Sequence, residues 1–225
     1  MLVPNPPEAP PSDRRQQAVG QAGTAQSRQA LLDAVGVVLE RVGLEGMSLR
    51  KVAAEAGLSH AAPGVLFGGR AAMLTAYAAE GFRELGRRMH VAERNAVDGR
   101  AALAATGQAY VMFAVDEPLR FQVMFRTDRL LPRDPDYLRS CREAFGPLQR
   151  AIERGMEEGA IEPGHADDLM LAAWSLVHGL ANLWFSKHLA GRVRPDPELL
   201  ARRVTELFAA AVVVSAEAEP PDPSA

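Results

Sequence analysis

Cysteine is nearly absent. Of 225 residues only Cys141 is a cysteine, which excludes an internal disulfide and a cysteine-based metal site. A reducing, cytoplasmic setting is expected. The five histidines (His60, His90, His165, His178 and His188) lack metal-ligand spacing such as His-Glu-x-x-His, so no metal or cofactor is expected. No glycine-rich phosphate loop sits at a strand-to-helix junction, and no signature pairs Cys141 with a base. The chain therefore reads as a non-enzyme. Aromatics make up only 6%, and Val and Ile form no alternating runs, which argues against sheets. Long apolar runs are missing as well. The longest, Leu169 to Phe185, is interrupted by Ser175, His178 and Asn182 and suits a buried bundle helix better than a membrane span. No charged-then-apolar leader opens the chain. The net charge of -3 announces no nucleic-acid partner by itself.

What is present is alanine-rich, helix-forming and ordinary in hydrophobic content, at 48%. The predicted class is all-α, with about nine helices. Residues 1–23 and 216–225 are Pro-rich and polar and read as a disordered arm and tail. Residues 24–70 form a three-helix head, and 71–215 form a helical bundle. Up to Arg70 the chain carries seven basic residues against six acidic, and the remainder is acidic on balance. In the first helix Leu31, Val35, Val38, Leu39 and Val42 follow helical spacing, and Gly43 ends it.

The informative stretch runs from Met47 to Phe67 (MSLRKVAAEAGLSHAAPGVLF). Two short helices flank Gly57-Leu58-Ser59. Ser48 is expected to cap the first and Ser59 the second. Gly57 supplies the turn, Leu58 points inward, and Val52, Ala53 and Ala56 let the pair pack closely. This is the pattern of a helix-turn-helix, whose second helix enters the major groove.

The head resembles the DNA-binding domain of the TetR family of bacterial regulators. The matching residues are Leu31-Leu32, Ala34, Leu39, Gly43, Ser48-Leu49, Val52-Ala53, Ala56-Gly57-Leu58-Ser59, Phe67, Arg70 and Met73-Leu74. The body resembles the branch with a Trp-His-Gly signature, here Trp174, His178 and Gly179 within Ala173 to Leu180, together with Phe121 to Phe125. The similarity spans about residues 25 to 215. It implies a homodimer built through the last two helices, a ligand pocket in the body and release of operator DNA on ligand binding.

The second helix of the motif departs from that branch. Gly64 stands where a phosphate-binding tyrosine is usual, and Leu66 where a histidine is usual. Gly68 and Gly69 replace the following Pro and Asp, and Ala71 replaces an acidic residue. Losing a phosphate donor weakens DNA binding, and Gly64 loosens the helix by about 1 kcal/mol relative to Ala. The residues left for DNA are Ser48, Arg50, Lys51, Ser59, His60 and Arg70 for phosphates or base edges. Ala61 and Ala62 are candidates for thymine methyl groups, and Arg14 and Arg15 for groove contact from the arm.

A pocket lined by methionine and aromatic side chains suits an apolar or amphipathic effector. The candidates are Phe82, Leu85, Met89, Tyr110, Phe113, Phe121, Met124, Phe125, Trp174 and His178. Two functions remain. One is a ligand-responsive regulator, a repressor in its simplest form, binding palindromic operator DNA as a homodimer. The other is a small-molecule-binding helical dimer with lost or weakened operator recognition.

Overall fold

The computed structural model describes residues 11–162, 164–186 and 196–212, with side chains from Gly23 onward. The arm residues 1–10, the side chains of Arg14 and Arg15, and the tail 216–225 lie outside the described residues. Among the described residues there are nine α-helices, one short 3-10 helix and no strand. None of these helices is long and apolar enough to cross a membrane.

The chain divides into two compact units. The first contains α1 (Pro11–Gly46), α2 (Leu49–Glu55), α3 (Ala62–Phe67) and the start of α4 (Arg70–Asn95), up to Tyr77. Leu31, Leu32, Val35, Val38 and Leu39 are all buried, so α1 turns one apolar stripe inward. Val52 and Ala53 of α2 and Met73 and Leu74 of α4 close this core at 0% exposure. Gly43 leaves helical geometry (φ 68°, ψ 177°), as its position after the apolar run predicts, although a last turn continues to Gly46. Three later residues, Arg129–Leu131, also belong to this unit. Arg129 Nη2 donates to Glu45 Oε1 at 2.8 Å, and the Leu131 amide donates to Thr75 Oγ1 at 2.8 Å.

Two expectations are corrected here. The arm was expected to be disordered to residue 23, but α1 begins at Pro11. The prolines stop there, and the Asp, Arg, Gln and Ala that follow are tolerant of helix, with Pro11 in the position where helices accept proline. Ser59 does not cap α3. The residue at that boundary is Ala61, with no side-chain cap. Instead the Ser59 carbonyl accepts the Ala62 amide at 3.0 Å, so Ser59 closes the turn through its backbone.

The second unit holds the rest of α4, α5 (Gly99–Asp116), α6 (Pro118–Met124), α7 (Pro135–Glu157), α8 (Ala166–Phe185) and α9 (Pro197–Ala211). α5 is its hub, packed on α7, α8 and α9. Ala102, Thr106, Tyr110 and Phe113 are buried on α5, within reach of several neighbours at once. Aspartates start three helices. Asp98 accepts from the Ala101 amide at 2.7 Å. Asp134 and Asp196 each accept two amides, with a proline directly after the cap.

Candidate nucleic-acid interface and ligand cavity

The turn between α2 and α3 follows from its residues. Ser48 stands in extended backbone and its Oγ accepts from the Lys51 amide at 3.4 Å, which starts α2. Gly57 has φ +67°, a conformation that costs a side chain about 1–2 kcal/mol and glycine nothing. The Leu58 amide returns to the Ala53 carbonyl at 2.9 Å, Leu58 is half-buried, and Pro63 is buried at the start of α3.

The expected DNA residues divide by what else they touch. Arg50, Ser59, His60, Ala61 and Gly64 are exposed. Ser48 and Ala62 are half-buried. Lys51 is exposed but its Nζ donates to the Gly46 carbonyl at 2.8 Å. Arg70 Nη2 donates to the Leu44 carbonyl at 2.6 Å. Both cations hold the end of α1 through one hydrogen bond each, and each keeps further N–H donors. Two residues of this region were not singled out in the sequence. Arg28 Nη1 donates to the Leu66 carbonyl at 2.8 Å, and its guanidinium lies 4.1 Å over the Phe67 ring. It fixes the C-terminal end of α3 from α1. Val65 projects from α3 at 81% exposure. Alternating sequence signals cannot find either one, because both depend on how a six-residue helix is seated.

In the second unit a small cavity of about 20 Å³ lies between α4, α5, α7, α8 and α9, roughly room for one water. Met89, Tyr110 and Trp174 of the candidate set line it, along with Thr106, Gly107 and Phe145. A Cβ on Gly107 would meet Thr205 Cγ2 at 2.8 Å, so α9 approaches α5 closely there. The hydroxyls of Thr106 and Thr205 donate to backbone carbonyls of their own helices, at 3.0 and 2.9 Å.

A polar node borders the cavity. Tyr110 Oη lies 2.8 Å from His178 Nδ1 and accepts from Trp174 Nε1 at 3.3 Å. The indole is only a donor, and in the tautomer of the neutral imidazole with its proton on Nε2 the phenol donates to Nδ1. Burial favours the same state. It pushes the Tyr110 phenol up and the His178 imidazole down from 6.5. Phe121 and Phe125 pack on His178 with centroids 5.5 and 4.6 Å away, and Phe82 meets Phe125 edge-on at 5.5 Å. Phe113 packs instead under the Arg88 guanidinium, and Met124 fills the space over Gly81. Of the ten candidates only Met89, Tyr110 and Trp174 line the cavity; Phe82, Leu85, Phe113, Phe121, Met124, Phe125 and His178 do not.

The depressed imidazole has a consequence for stability. As pH falls below 6.5, an unfolded histidine takes up a proton that folded His178 resists, so this site's contribution is lost as pH falls towards the folded value. The melting temperature is expected to fall further between about pH 7.5 and 5.5 in the wild type than in His178→Gln. An equal fall in both proteins would show that His178 does not titrate in this way.

Outside the cavity, α7 and α8 frame an open groove of about 530 Å³ lined by Cys141, Arg142, Phe145, Gln149, Met170, Leu171 and Trp174. Phe145 and Trp174, in edge contact at 5.2 Å, belong to both the groove and the cavity wall. Burial pushes the Cys141 thiol up, away from the reactive thiolate. Among the described residues no three His, Cys, Asp or Glu gather in a form that could hold a metal.

Residues 103–212 match the family model described as a tetracyclin repressor-like C-terminal domain. A protein of unknown function from a Rhodococcus species is 30% identical in sequence. The alignment covers 84% of this chain and 96% of that one, with a TM-score of 0.74. A TetR family transcription regulator from Marinobacter aquaeolei shares the fold at 18% identity, covering 87% of this chain and all of its own, with a TM-score of 0.65. The TetR family regulator PfmR from Thermus thermophilus does so at 21% identity, covering 80% and 96%, with a TM-score of 0.62. No curated protein matches the sequence.

Proposed function

The chain belongs to the TetR family of transcription regulators, and from that premise we propose that it is a ligand-responsive, homodimeric repressor. The observation that carries the proposal is the α2–Gly57–α3 turn, with Ser59, His60, Ala61 and Val65 exposed. Arg50 is exposed and is proposed to meet phosphate, while Lys51 and Arg70 each give one hydrogen bond to a backbone carbonyl.

α8 and α9 are proposed to pair with the same helices of a second copy. Leu171 and Leu183 on α8 and Leu199 and Leu207 on α9 are exposed, Leu207 at 73%. Between the α8 leucines the exposed residues are small or polar, among them Ser175 and Gly179, which suits close helix approach. The effector is proposed to be small and apolar. The buried hydroxyls around the cavity are already satisfied, and at about 20 Å³ the cavity must open well beyond its present size to accept a drug-sized ligand. Displacement of Trp174 from Phe145 would join the cavity to the α7–α8 groove.

The test is fluorescence anisotropy of the protein with a duplex from its own upstream region, against a scrambled duplex, over a salt series. Nanomolar, sequence-dependent binding with a steep salt slope supports the regulator. A second reading, a ligand-binding dimer without operator affinity, is favoured by Gly64 and by the engagement of Lys51 and Arg70. Weak, sequence-blind binding by all candidate operators would support it.

A further inference from the structure

α3 contains no side chain that can make a hydrogen bond: its residues are Ala62, Pro63, Gly64, Val65, Leu66 and Phe67. Pro63 is buried, and Leu66 and Phe67 are half-buried, the Phe67 ring under the Arg28 guanidinium. The face turned to solvent is made by Ala61 at the boundary, then Gly64 and Val65, which are spaced three and four residues on and so share one side of the helix. Gly64 has nothing within 4 Å of where a Cβ would stand, so the backbone there can come close to a surface. Val65 is the one large side chain on that face.

A helix in the major groove meets donors and acceptors on every base pair and one apolar mark, the C5-methyl of thymine. A helix without side-chain donors or acceptors reads only that mark. Ala61 and Val65 lie about 6 Å apart along the axis, close to two base-pair steps of about 3.4 Å each. Resting on the DNA-binding reading above, we infer that Val65 is a specificity-determining residue that reads thymine methyl groups. The part of the half-site under α3 is then selected by methyl contact, while hydrogen-bonded readout falls to Ser59 and His60 before the helix. This goes beyond the alanine contacts expected from sequence, because the isopropyl group of Val65 reaches farther than either methyl.

The experiment begins with selection of duplexes from a randomised library by the full chain. The tightest duplex is then compared with copies in which deoxyuridine replaces each thymine in turn, which removes the methyl and keeps the pairing. One or two uridines per half-site are expected to weaken binding about fourfold for one methyl and about fifteenfold when both half-sites are changed. Val65→Ala, at an exposed position that leaves the fold intact by circular dichroism, is expected to bind the thymine and uridine duplexes alike. Equal affinity of the wild type for both duplexes would overturn the methyl reading and leave the regulator standing. A Val65→Ala protein that still discriminates would overturn the assignment to Val65. Failure to select any sequence would overturn both the inference and the function it rests on.

Discussion

Gly99→Ala is expected to destabilise the protein by about 3 kcal/mol, or to prevent folding outright. The added Cβ would stand 2.2 Å from the Gly155 nitrogen, 2.4 Å from its Cα and 2.8 Å from the Arg154 carbonyl carbon. These are backbone atoms, so no rotamer change relieves the clash, and α5 and α7 must separate. Separation also breaks the bond from the Gly99 amide to Glu158 Oε2, 2.6 Å long. Close-packed interiors yield little to such insertions. The same substitution at Gly64 is expected to act in the opposite sense. Nothing lies within 4 Å and the backbone is ordinary helix, so Gly64→Ala should stabilise by up to about 1 kcal/mol. Urea midpoints of the two variants at one fixed protein concentration check both signs. A Gly99→Ala protein within about 0.5 kcal/mol of wild type would mean that the two helices do not cross backbone to backbone.

The contrast between these glycines marks the limit of what sequence displays. A glycine with positive φ announces itself through local context. Gly43 follows an apolar run and Gly57 separates two short apolar helices, and both stand where that context predicts. A glycine that admits a distant helix looks no different from one that admits nothing. Gly99, Gly107 and Gly64 are indistinguishable until α7, α9 or open solvent is placed beside them. The same holds for the arginines. Arg28 and Arg70 read as surface charge, yet their guanidiniums close the carbonyl ends of α3 and α1, partners 38 and 26 residues away. Composition also misleads near an end, where Pro-rich residues 4–11 concealed a helix start at Pro11.

The ligand candidates were legible to a different degree. Aromatic and methionine residues on apolar helix faces identify a core, and most of that set is buried. Which of them meet at one point depends on the register between helices. Tyr110 and His178 lie 68 residues apart in sequence, and only the packing of α5 on α8 pairs them. Trp174 and His178 were expected to share a helix face, and their rings do lie 6.0 Å apart. Phe145 was not anticipated, since it sits in a charged stretch of α7 that shows no pocket pattern.

On the proposed pairing of α8 and α9 with a second copy, Leu207→Glu is expected to leave the protein monomeric at micromolar concentration and to weaken the proposed operator binding by roughly two orders of magnitude or more. Leu207 is the most exposed residue among the apolar side chains of α9 and lies one helical turn from Arg203, on the face that also carries Leu199 and Ala210. A carboxylate placed there must either be desolvated on association or hold the two copies apart, and it meets its own symmetry mate when the contact is two-fold. The substitution touches nothing in the interior, because the buried stripe of α9 runs through Ala201, Thr205 and Ala209. Folding of the single chain should therefore survive, as circular dichroism would show. Two half-sites read by one dimer bind far more tightly than one read by a monomer, since the second contact is made at the high effective concentration set by the first. Light scattering on the variant reads the assembly, and anisotropy against the selected duplex reads the coupling. A Leu207→Glu protein that remains dimeric would move the subunit contact off α9. One that becomes monomeric yet binds DNA with wild-type affinity would separate assembly from operator recognition.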